Sequence, residues 1–125
     1  MPTRVMTVDD RADFRRKLTT MLDRQSDLEV VAETGSFRDA RYYTARVSLD
    51  VVLLDLNLPD GKGWKLIADL RGANPRVAVI VLSASFDGAN LARANVAGAD
   101  VILDKFAAPR GVVEAISSAL ASRRL

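Results

Sequence analysis

The run Val51-Val52-Leu53-Leu54-Asp55 sets four consecutive apolar side chains in front of a single carboxylate. Without a polar residue at alternate positions, it reads as a strand covered on both faces rather than one side of an exposed ribbon. Strands of that kind belong to parallel sheets with helices packed above and below. The rest of the chain supplies the helices.

Upstream, Arg4 to Val8 is a second apolar strand. Phe14, Leu18, Met21 and Leu22 follow at helical spacing and leave Arg15, Arg16 and Lys17 as a solvated face. Leu28 to Ala32 is a valine-rich strand, and Gly35 and Ser36 punctuate the chain before a helix over Phe37 to Val47. Downstream of Asp55, Pro59 cannot donate to a ladder, while Gly61 and Gly63 permit unusual backbone angles, which predicts a loop. A helix from Trp64 to Leu70, ended by Gly72 and Pro75, leads into a strand from Val77 to Leu82 that stops at Ser83. Trp64 reads as a partly exposed helix residue.

A fourth helix, with Asp87 as its cap, has only a thin stripe of Leu91, Ala94 and Ala97 or Gly98, and should pack weakly. Val101 to Leu103 is a short last strand. Pro109 suits the opening turn of a final helix that turns Val112, Val113, Ile116, Ala119 and Leu120 inward. Arg123 and Arg124 read as a frayed tail.

Five strands and five helices in alternation predict an α/β fold, a flavodoxin-like doubly wound (βα)5 unit with a five-stranded parallel sheet in the order 2-1-3-4-5. Ligands of such sheets bind beyond the C-terminal strand ends where the order reverses, here between the first and third strands. Those strands end in Asp9 and Asp10 and in Asp55, and the last strand runs towards Lys105. Three carboxylates facing one ammonium in a partly dry cleft call for a divalent cation and an anionic group to balance them. That is the outline of a phosphoryl-transfer site.

Composition narrows the alternatives. The chain has 125 residues, 49% of them hydrophobic and 27% charged, which predicts a single domain over 1–125. With 18 basic and 16 acidic side chains and few aromatics, it lacks the signature of direct nucleic-acid binding. The absence of cysteine removes disulfides and thiolate nucleophiles, and the absence of histidine removes serine-type triads. Any phosphohistidine donor must therefore be another protein. No apolar run has the length of a signal peptide or membrane span, so a cytoplasmic location without membrane contact is the expectation. Asp-Asp-Arg-Ala-Asp after the first strand is not the glycine-rich loop of a dinucleotide site.

Four motifs in order, Val-Asp-Asp at 8–10, Asp-Leu-Asn-Leu-Pro-Asp-Gly from Asp55, Leu-Ser-Ala from Leu82, and Gly-Ala-Asp before Lys105, give the chain a resemblance. It resembles the receiver domain of two-component response regulators over essentially its full length. The resemblance implies that Asp55 is the phosphoacceptor and that Asp10 is a direct Mg²⁺ ligand. It implies that Asp9 completes the pocket through water, and that Asn57 contributes its backbone carbonyl. Lys105 would pair with Asp55 at rest and with a phosphoryl oxygen afterwards, and the Ser83 hydroxyl would hydrogen-bond that group. Phosphorylation would then alter the surface of the fourth helix, fifth strand and fifth helix.

A sensor histidine kinase or phosphotransfer protein is the implied donor, and a homodimer on phosphorylation is a further implied partner. The stretch from Ala107 is similar to the subfamily with helix-turn-helix output domains, whose task is transcription control; no such domain lies in this sequence. Two positions depart from the pattern. Ile102 stands where many receivers have an aromatic, so an aromatic rotamer cannot report the state, and Phe106 replaces the proline after the lysine, which argues against a cis peptide there.

Two other readings compete. One is a receiver-like interaction module that works without phosphate. The other is a phosphatase of the haloacid dehalogenase type, which needs a second carboxylate where Asn57 stands.

Overall fold

The computed structural model describes residues 2–84, 88–106 and 109–123. Asp87, Ala107 and Arg124 lie outside them. The main sheet is built from β1 (Thr3–Val8), β2 (Leu28–Thr34), β3 (Val51–Asp55), β4 (Ala78–Ser83) and β5 (Val101–Asp104). The helices are α1 (Ala12–Asp23), α2 (Phe37–Arg46), α3 (Gly63–Ala73), α4 (Gly88–Ala97) and α5 (Pro109–Arg123). Every pairing in the sheet is parallel and the order is β2-β1-β3-β4-β5, as the alternation predicts. Among the described residues no helix is long and apolar enough to cross a membrane.

Residues of β3 are buried throughout, and their period of two divides the core. Val52 and Leu54 join Met6, Val79 and Val81 under Ala40 of α2, Leu66, Ile67 and Leu70 of α3 and Ala94 of α4. Val51 and Leu53 join Val5, Ala78 and Ile80 under Leu18 and Leu22 of α1 and Val112, Ala115, Ile116 and Ala119 of α5. Burying each such Leu, Ile or Val stabilises the fold by roughly 1.5–3 kcal/mol before chain entropy is counted. The α4 stripe is as thin as its sequence implies: Ala94 is fully buried, whereas Val96 is 90% exposed.

Several local expectations are overturned. The segment after Asp55 is a small antiparallel hairpin pairing Asn57–Leu58 with Gly61–Lys62, left out of the strand numbering. Neither Gly61 nor Gly63 has a positive φ. They are needed for space: a Cβ on Gly61 would lie 2.8 Å from the Phe37 ring, and one on Gly63 would lie 2.7 Å from the Asp55 carbonyl oxygen. Gly72 does not end α3, which continues to Ala73 and is capped by the Asn74 N–H on Leu70 O. The one positive φ among described residues, +111°, belongs to Gly98, where α4 turns into β5.

Arg123 is no frayed tail. Its Nε lies 2.7 Å from Asp100 Oδ1, while Asp100 Oδ2 accepts from Arg71 Nη2 at 2.9 Å and from the Val79 N–H at 2.8 Å. Arg71 also donates to the carbonyls of Val77 and Gly98. One carboxylate thus fastens the C-terminal ends of α3 and α5 to β4, at the sheet edge opposite the Asp55 end. Trp64 is half-buried, with the Arg93 guanidinium 5.3 Å from its ring centroid, so it links α3 to α4.

Candidate functional site

Register brings the charged strand ends together. Val8 pairs with Leu54 and Asp55 with Leu82, so Asp9 and Asp55 leave neighbouring strands at one level; Ser83 pairs with Asp104 one step further out. The Lys105 N–H donates to Ser83 O at 2.8 Å, which fixes the lysine backbone to the end of β4. Asp9, Asp55, Ser83 and Lys105 are all buried.

Lys105 Nζ lies 2.7 Å from Asp9 Oδ2 and 3.1 Å from Asp55 Oδ2. The resemblance implied a resting pair with Asp55; the ammonium is shared, and the shorter contact is to Asp9. Asp55 Oδ1 accepts from the Asn57 N–H at 3.0 Å. Burial raises the Asp55 carboxyl above the usual carboxylate range; the Asn57 N–H and Lys105 oppose this, and the nearby Asp9 charge adds to it. Burial alone would lower the Lys105 ammonium, but its close contact with Asp9 and the two carboxylate charges outweigh it and hold the lysine above its ordinary value.

Asp9 does two things at once. Its Oδ1 accepts from the Arg11 N–H at 2.9 Å, the use of a strand-end Asp that stabilises an approaching helix. Its Oδ2 faces Lys105. Arg15, read as part of a solvated face, is half-buried instead: Nη1 donates to Asp9 O at 2.6 Å and Nε lies 3.7 Å from Glu33. Arg16 and Lys17 are exposed. Asp10 and Asn57 are exposed beside this buried group. Each of Asp9, Asp10 and Asp55 offers a carboxylate oxygen, all within 4.8 Å of one another. Three hard oxygen donors, one on the wet side, suit a small divalent cation that keeps part of its water.

Asp60 was absent from the sequence reading of the site. Its carboxylate accepts from the Phe37 N–H at 2.7 Å and the Arg38 N–H at 3.0 Å, so it caps α2 from the hairpin that follows Asp55. Ser36 caps the same helix by accepting from the Asp39 N–H. The Ser-x-x-Asp spacing is visible in sequence; the Asp60 cap is not, because its partners are 22 and 23 residues away.

A family model described as the response regulator receiver domain matches residues 5–117. The chain is 35% identical over 115 residues to the nitrate/nitrite response regulator protein NarP of Escherichia coli strain K12, covering 92% of this chain and 54% of that protein. It is 28% identical over 127 aligned positions to the protein-glutamate methylesterase/protein-glutamine glutaminase of Alkalilimnicola ehrlichii, covering 100% of this chain and 33% of that protein. The solved structure of a LuxR-family two-component response regulator from Aurantimonas sp. SI85-9A1 superposes with a TM-score of 0.88 at 27% identity, covering 98% of this chain and 88% of that one. The chain spans about a third to about half of the length of these curated relatives. On the match over residues 5–117, the chain belongs to the response regulator receiver domain family.

Proposed function

We propose that this chain is a signalling switch thrown by phosphorylation of Asp55, with a phosphohistidine of another protein as donor. The observation that carries the reading is the grouping of Asp55 with Asp9, Asp10 and Lys105 at the β1/β3 edge. In the transfer, an Asp55 carboxylate oxygen forms a bond to phosphorus while the phosphorus–nitrogen bond of the donor breaks. The electron pair stays on the imidazole, which takes a proton from solvent. The product on Asp55 is a mixed anhydride.

Asp9, Asp10 and Asp55, with the Asn57 backbone carbonyl, would hold Mg²⁺. When bound, the ion offsets the negative charge on the oxygens of the transferred group. Lys105 would pair with one of those oxygens as its contact with the Asp55 carboxylate is replaced. Ser83, at the end of β4, would donate its hydroxyl to another. An acyl phosphate brings on the order of two negative charges and several acceptors, enough to redraw the segment after Ser83. The surface of α4, β5 and α5 then changes, and the weakly packed α4 is the element that yields most easily.

A sensor histidine kinase or a phosphotransfer protein is the donor in this reading, and dimerisation of the phosphorylated form is one use of the changed surface. A relative named as the DNA-binding transcriptional activator DevR/DosR of Mycobacterium tuberculosis, 34% identical over 96 residues, favours transcription control as the output, through a segment outside this sequence. The test is intact mass after incubation with acetyl phosphate and Mg²⁺. One added phosphoryl group on the wild-type chain and none on Asp55→Asn supports the reading; no uptake under any Mg²⁺ concentration favours a module that works without phosphate.

A further inference from the structure

The Lys105 ammonium has a third neighbour. Phe14, in the first turn of α1, turns its ring to Nζ with the centroid 4.7 Å away. The ring is half-buried and packs against the core layer under α1 and α5, so its position is fixed from behind. A cation within about 6 Å of an aromatic centroid is attracted to the ring face, most strongly where water is excluded. The Lys105 side chain is 3% exposed.

The three neighbours differ in what the proposed reaction does to them. Asp55 changes charge and shape when it takes up phosphorus, and Asp9 also serves Arg11 and the acidic pocket. Phe14 changes in neither respect. We infer that Phe14 is a positioning residue whose ring face holds the Lys105 ammonium on the α1 side of the site, aimed at the group carried by Asp55. This rests on the reading of Asp55 as the phosphoacceptor. A leucine or methionine at 14 would fill similar space and lack the ring's charge distribution.

The test compares Phe14→Leu and Phe14→Met with Phe14→Tyr, in two measurements at one fixed pH. In the unphosphorylated domain, the Lys105 side-chain proton resonances should be displaced by the ring. That displacement should vanish in Phe14→Leu and Phe14→Met and persist in Phe14→Tyr. With acetyl phosphate and Mg²⁺, the two ring-free variants should label about tenfold more slowly, and Phe14→Tyr should stay within about twofold of wild type.

Unmoved Lys105 resonances, wild-type labelling in both ring-free variants, or a tyrosine variant as slow as the leucine one would overturn the inference. A wild-type chain that takes up no phosphate defeats the proposed function instead. The resonance comparison, which uses no phosphodonor, still decides whether the ring lies against the Lys105 side chain.

Discussion

Lys105 stands closer to Asp9 than to Asp55, with its Nζ 2.7 Å from one carboxylate and 3.1 Å from the other. A single buried ammonium thus keeps two carboxylates from different strands in one pocket. It stabilises the strand ends by facing both Asp9 and Asp55. Removing it leaves two like charges unscreened in a site that excludes most water.

Lys105→Met is therefore expected to lower unfolding stability by about 3–5 kcal/mol in metal-free buffer. Asp9→Asn in the same background should restore about half of that, since it removes one of the two stranded charges. Urea unfolding of the four chains in a double-mutant cycle measures the coupling. Independent effects of the two substitutions would mean that the ammonium does not hold Asp9.

Asp55→Asn should stabilise the metal-free fold. The folded-state carboxyl is raised above its ordinary value, so the ionised form weakens the fold at neutral pH, and this cost is relieved as pH falls through the raised value. The variant should melt at a higher temperature than wild type at neutral pH. The gap should close on acidification. Thermal melts in the presence of a chelator check both the sign and the pH trend.

Addition of Mg²⁺ should raise the wild-type melting temperature in proportion to the logarithm of its concentration once the site saturates. Asp10→Asn should flatten that dependence. Because Asp10 is exposed, its replacement should leave the metal-free melting temperature within about 2 °C of wild type, as for other surface substitutions. Equal Mg²⁺ responses in both chains would remove Asp10 from the proposed ligand set.

Gly63→Ala should cost on the order of 2–3 kcal/mol, a typical penalty for a forced backbone shift. The new Cβ would meet the Asp55 carbonyl oxygen and Leu56 Cα, each at 2.7 Å. Both are backbone atoms that cannot rotate away. Amide spectra should show the disturbance centred on residues 55–57; an unperturbed spectrum there would contradict the close approach of α3 to β3.

Sequence pattern carried the sheet because Val51 to Leu54 is apolar at every position and strands and helices alternate around it. It also carried the meeting of Asp9, Asp10, Asp55 and Lys105, since each sits at or just past a strand end and the strand order sets which ends adjoin. What it missed depends on distant partners. The tie of Arg123 to Asp100 spans 23 residues, and nothing local separates it from a solvated C-terminal arginine. Gly61 and Gly63 looked like angle-bearing glycines because turn residues and close-approach residues share one letter; only Phe37 and the β3 backbone distinguish them. The sharing of Lys105 between two carboxylates is a matter of a few tenths of an ångström, below what spacing along a chain can specify.

Locating the modified residue decides the central claim most directly. The wild-type chain would be incubated with acetyl phosphate and Mg²⁺, its acyl phosphate trapped by borohydride reduction, and the peptides mapped by mass spectrometry. Modification at Asp55 alone, lost when Mg²⁺ is chelated, is the predicted result. Modification at Asp9, at Asp10 or elsewhere with Asp55 untouched, or no modification with Mg²⁺ present, would contradict it.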